Sequence, residues 1–131
     1  MKLKVNEIGG RFEKREDCYY DTETGLEWSL VSHGPMPFDE SLCKSFYNGW
    51  RLPTIQELLS IFDYSKIGTA TDLPGMKLSY YWANEEFIKD KNCAWGVYFY
   101  TGSVEFGIKT IRHYIRCVRG RPLQYDTCRS I

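Results

Sequence analysis

The tightest local constraint in this chain is the stretch Pro53-Thr54-Ile55-Gln56-Glu57, because it fixes where a helix begins and which way it faces. A threonine followed three residues later by glutamate can close a capping box. The hydroxyl accepts from the N3 amide and the carboxylate reaches back to the N-cap amide. Proline suits the approach to such a helix. Ile55, Leu58, Leu59 and Phe62 then recur at helical spacing, which predicts a short helix over residues 54–62 with one apolar face on a core.

The same kind of reading places the other elements. Phe38, Leu42 and Phe46 repeat every four residues, and Asp39 and Glu40 stand in the first turn, where the helix dipole favours them. They predict a first helix over residues 38–46 that ends near Asn48-Gly49. In Asp21-Thr22-Glu23-Thr24-Gly25-Leu26 the side chains can bond their own backbone while Gly25 takes a positive φ. Strands at residues 18–20 and 26–29 are expected to pair across that turn. Residues 63–79, with Gly68, Pro74 and Gly75, read as a long loop. Strands return at residues 80–82, 94–100, 104–108 and 114–118, and Thr101-Gly102-Ser103 makes the middle two a hairpin. Trp95, Val97 and Phe99 alternate onto one face, Tyr98 and Tyr100 onto the other. The 131 residues show no repeat and no linker, so the expectation is one domain over residues 1–131. Its class is α+β, an antiparallel sheet with two short helices and long loops.

Lysine plus arginine and aspartate plus glutamate both number 17, so no net field draws the chain to nucleic acid or an anionic membrane. Neither is expected as a partner. The local exception is Arg112, Arg116, Arg119 and Arg121, read as a solvated strand or, alternatively, a patch for an acidic partner. The first seven residues lack the apolar run of about 7–15 that a secretory signal needs, and no segment reaches about 18 apolar residues. A cytoplasmic location is expected. Cys18, Cys43, Cys93, Cys117 and Cys128 contain no Cys-x-x-Cys and no zinc-type clamp, and reduced thiols are expected. His33 and His113 stand alone, and no phosphate loop, dinucleotide fingerprint or His-Glu-x-x-His occurs. No cofactor is expected, and the reading is not an enzyme.

Asp21-Thr22-Glu23-Thr24-Gly25-Leu26-Glu27-Trp28, followed by Gly49-Trp50-Arg51-Leu52-Pro53-Thr54 with Glu57-Leu58, resembles the Lcl C-terminal domain family, named for the last domain of a bacterial collagen-like adhesin. Tyr81-Trp82, the run from Ala94 to Phe99 with Gly102-Ser103-Val104, and Arg116-Cys117-Val118-Arg119 agree in order. The resemblance covers about residues 18–120. It implies a C-type-lectin-like or formylglycine-generating-enzyme-like fold, a twisted antiparallel sheet with two helices and long loops, more firmly than it implies a function. Trp28, Trp50, Trp82 and Trp95 are read as core. Arg51 is expected to meet a carboxylate, with Asp21 and Asp63 as candidates. After Tyr81-Trp82, Asn84, Glu85, Glu86 and Asp90 offer oxygens but fall short of the about six to eight that calcium needs, so no metal is expected. The relation to formylglycine-generating enzymes implies that Cys117 with Cys43 or Cys93 could imitate a catalytic thiol pair.

Three function classes follow. The favoured one is a non-catalytic module that binds a protein partner inside the cell, as in small phage or prophage proteins of bacteria. The second is a carbohydrate-binding adhesin domain of an exported protein, suggested by the family and the 10 tyrosines. The third is a thiol oxidase. The ligand face is expected on the irregular segments, with Tyr64 and Tyr80 as anchors beside Lys66, Asp72 and Lys77, then Asn84, Glu85, Glu86, Lys89 and Asp90. The alternative face is the edge with Arg119 and Arg121.

The capping box makes a direct prediction. Thr54→Ala lowers stability by about 1 kcal/mol, read by thermal melting, and an unchanged melt means that the box does not form.

Overall fold

The structure, a computed structural model, describes residues 10–66 and 70–123. Gly68, Cys128 and the first seven residues, to which expectations were attached, lie outside them. The described chain runs β1 (Phe12–Lys14), β2 (Tyr19–Asp21), β3 (Glu27–Trp28), β4 (His33–Met36), α1 (Phe38–Ser45), α2 (Ile55–Ser60), β5 (Tyr80–Glu86), β6 (Cys93–Tyr98), β7 (Ser103–Ile108), β8 (His113–Ile115) and β9 (Val118–Arg119). The class is α+β, with two short helices and long loops. No helix among the described residues is long and apolar enough to cross a membrane.

The strands form two sheets, β1-β2-β3-β9 and β4-β8-β5-β6-β7. The expected β2–β3 and β6–β7 hairpins form, with Tyr19 opposite Trp28 and Trp95 opposite Phe106. One pair departs from the antiparallel expectation: β5 and β8 run parallel, Tyr81 beside Tyr114. The β6–β7 hairpin occupies one side of β5, so the chain crosses back and enters on the other side in β5's own direction. The strand expected at 114–118 is two strands, because Arg116 and Cys117 carry the chain from the large sheet to the small one. β1 and β4 were not anticipated. One is three residues long, and the other contains Gly34 and Pro35 in place of an apolar alternation.

β5 is buried on both faces. Tyr81 and Ala83 face a core of Val97, Phe99, Leu58, Ile61, Leu26, Trp28 and Val118. Tyr80 and Trp82 face the other, with Phe38, Leu52, Ala94 and Ile115. Period-two alternation divides the residues between the two. The long loop supplies Ala70, Thr71 and Leu73 to the interior, so it is less polar in effect than its composition suggests. Glycine is required at 96, because a Cβ there would lie 2.4 Å from the Tyr80 ring, which crosses β6 at that point. Of the four tryptophans, Trp28 and Trp82 are fully buried, while Trp50 and Trp95 are half-buried. Phe46 is 78% exposed. The helix stops at Ser45 and Phe46 leaves helical geometry, so Ser41 and Ser45 face inward, their hydroxyls donating to the Phe38 and Leu42 carbonyls.

The capping box forms. The Glu57 amide donates to Thr54 Oγ1 at 3.1 Å, and the Thr54 amide donates to Glu57 Oε1 at 2.9 Å. Arg51 does not meet Asp21 or Asp63. It forks onto Glu57 at 2.7 and 2.8 Å, while Asp21 takes Arg11 at 2.7 Å on both oxygens and Asp63 stays in its own turn with Ser65. The Leu123 amide donates to Glu57 as well, at 2.9 Å. Burial pushes the Glu57 carboxyl up, but the bonds from Arg51, Thr54 and Leu123 outweigh it and leave its pKa below the ordinary glutamate value.

A depressed carboxyl stabilises the fold above its unfolded pKa of about 4.3 and loses that contribution as pH falls through the lower folded value. The melting temperature is therefore expected to drop in acid. Glu57→Gln abolishes that share of the acid dependence and costs about 3–5 kcal/mol at neutral pH, since it strands the Arg51 charge. Melts of both proteins from neutral pH to pH 3 check this.

Candidate functional site

The residues expected to form the ligand face do not gather on one surface. Tyr64 is exposed, lies on Phe62 with ring centroids 4.5 Å apart, and donates to the Gly102 carbonyl at 3.1 Å. Tyr80 is 8% exposed and no surface anchor. Its hydroxyl donates to the Glu105 carbonyl at 2.7 Å, and burial pushes its pKa well above the tyrosine range. Lys66 pairs with Asp72, and the Lys77 amide donates to the Tyr81 hydroxyl. Asn84, Glu85 and Glu86 belong to β5 and not to an irregular segment. Glu85 accepts from the Ile55 amide at 3.0 Å, adding a second acceptor at the start of α2. Glu86 takes Lys109, which lies over the Phe38 ring in the other core. Neighbouring side chains on a strand point oppositely, and these two serve opposite faces of the sheet. Asp90 closes its own turn, accepting from the Asn92 amide at 2.9 Å.

The arginine edge divides in the same way. Arg119 donates to Glu27 at 2.6 Å and Asp17 at 3.1 Å and lies 4.1 Å over the Trp50 ring. Arg112 and Arg121 are exposed. Arg116 is fully buried, contrary to the solvated-strand reading. Its Nε donates to the Ser29 carbonyl at 2.8 Å and its Nη2 to the Leu30 carbonyl at 3.2 Å, while Nη1 has no partner among the described residues. Burial lowers its pKa to about 10.

A concavity opens elsewhere, between β4 and α1. Two adjoining recesses of about 400 and 230 Å³ share His33, Lys44 and Cys117. The first is bounded by β4 and α1, through Met36 and Glu40, with Ile115 of β8. The second continues to Ser29, Tyr47 and Trp50. Tyr47, 68% exposed, stands at the rim with Phe46 beside it in sequence, and a Tyr47–Trp50 bridge closes the turn after α1. Sequence reasoning missed this site. The one available signal is Phe46-Tyr47 at a helix end, where Phe46 reads as the last member of the first helix's apolar repeat.

Burial lowers the His33 pKa, and the positive charges of Arg116 and Lys44 lower it further. Burial pushes the Cys117 thiol up to about 11. His113 lies between Tyr80 and Trp82, with centroids 4.2 and 5.0 Å away. Cys18, Cys43, Cys93 and Cys117 are all free. Among the described residues, no three His, Cys, Asp or Glu side chains gather to hold a metal ion.

A family model described as the Lcl C-terminal domain matches residues 17–119, a span that contains every residue of the recess. No curated protein gives a significant match.

The electrostatics of the recess predict a proton titration. His33 should have its midpoint below 6.5, and Lys44→Ala should move it upward by removing a nearby positive charge. Imidazole chemical shifts followed by NMR measure both, and a downward move means that Lys44 does not face the ring.

Proposed function

The chain belongs to the Lcl C-terminal domain family, and we propose that it is a non-catalytic recognition module whose partner is a protein seated on the recess between β4 and α1. The observation that carries this reading is the joined concavity lined in part by the exposed Tyr47 and the half-buried Trp50. Interfaces concentrate their energy in a few aromatic anchors beside desolvated pockets, ringed by polar groups. Here the aromatic groups are Tyr47 and Trp50, and the polar ring is Glu40, Lys44 and His33. Lys44 makes no ion pair among the described residues, which suits a partner with an acidic group next to an apolar one. The free cysteines among the described residues suit a reducing compartment.

A glycan is the second reading. Tyr47 and Trp50 lie beside His33 and Lys44, and sugar rings dock on aromatic faces flanked by polar groups. The thiol-oxidase reading has less support, because reactive cysteines need a lowered pKa and burial holds Cys117 at about 11.

The test is capture from a cell lysate run beside a glycan array, followed by affinity measurement on whatever binds. Tyr47→Ala and Lys44→Glu are expected to weaken binding at least tenfold, about 1.4 kcal/mol, with Tyr64→Ala unchanged. The opposite ranking moves the site to the loop after α2 and overturns this assignment.

A further inference from the structure

The two edges of the five-stranded sheet are built differently. β4, at one end, carries Gly34 and Pro35 and pairs with β8 through a register shift. Proline and irregular pairing are the usual devices that stop an edge from recruiting another strand. β7, at the other end, has neither. It pairs with β6 in unbroken register from Ser103 to Ile108, and among the described residues nothing pairs with its outer side. Val104, Phe106 and Ile108 share one face of it and are 40, 52 and 54% exposed. Phe106 is held in place by Phe87, stacked at 4.3 Å, and by Trp95, edge-on at 5.6 Å.

The backbone of β7 is also presented for pairing. The Tyr80 hydroxyl, lying over Gly96 of β6, donates to the Glu105 carbonyl, so that carbonyl faces β6. Successive residues of a strand direct their amides and carbonyls to opposite sides. Val104, Phe106 and Ile108 therefore point theirs outward.

We propose that β7 is the surface on which two copies of this chain associate, antiparallel edge to edge and centred on Phe106. The strand is self-complementary in this register. Phe106 meets Phe106 of the second copy, Val104 meets Ile108, and Glu105 meets Gly107, so no like charges oppose each other. Centring one residue away, on Glu105, sets two glutamates face to face. The outward amides pair in full, and the apolar strip of each copy continues into that of the other. This surface is distinct from the recess assigned to a partner.

The test is sedimentation velocity of the full chain over a concentration series reaching about 1 mM, the weak limit of a specific contact. It is joined by a crosslinking variant. The wild-type chain is expected to dimerise with concentration. Val104→Pro removes an outward amide while leaving the aromatic cluster intact, and is expected to weaken dimerisation at least tenfold with the thermal melt retained. In a Cys43→Ser background, Phe106→Cys is expected to form a covalent dimer on mild oxidation that the Cys43→Ser parent does not form. This arm decides the matter if the proline variant fails to fold. A chain that stays monomeric throughout overturns the proposal. So does a dimer that tolerates Val104→Pro, or one that gives no crosslink at 106.

Discussion

A buried carboxylate holds its charge only if its oxygens are answered by donors, and Glu57 meets that demand by drawing three stretches of chain to one point. Its neighbour in the capping box, Thr54, starts α2. Arg51 comes from the segment before it and Leu123 from beyond the last strand. Arg51 is itself bonded through its backbone to Val118 of β9, in both directions at 2.9 Å. One carboxylate thus joins the helix to the small sheet and to the chain's C-terminal side. The removal of any donor leaves charge in a place with little solvent to screen it.

β5 carries the second constraint. With large rings on both faces, it can be covered only if something lies on each side. α2 and the small sheet cover one side, while α1 covers the other. Gly96 lets Tyr80 lie flat across β6, and that crossing puts its hydroxyl on the Glu105 carbonyl. The residue that composition presented as a surface anchor is therefore a core tyrosine whose polar end reaches the edge strand.

Arg116 links the scaffold to the recess. It is a buried cation answered by two carbonyls and, among the described residues, by no carboxylate, so its charge is felt nearby, and His33 is where it registers. The Ser29 and Leu30 carbonyls that it holds belong to the approach to β4, which forms one wall of the recess. Family membership accounts for the scaffold, since the match runs from the entry to β2 to the end of β9. Lys44, Tyr47 and His33, which line the recess, lie within the same span.

What the sequence determined by itself was whatever depends on residues a few positions apart. The capping box, the β2–β3 turn and the β6–β7 hairpin were legible because hydroxyl, carboxylate, glycine and alternation act within one turn of backbone. The ordered motifs from Asp21 to Arg119 added the family and the α+β class. Tertiary structure decided which carboxylate Arg51 would take, which of Tyr64 and Tyr80 would be buried, and where a recess would open. Arg51 had Asp21 and Asp63 as plausible partners, but Asp21 was claimed by Arg11 on β1's approach and Asp63 by its own turn. Arg116 finds its acceptors 86 and 87 residues away. A side chain's partner is set by which lone pairs remain open after distant strands have packed, and no spacing along the chain records that.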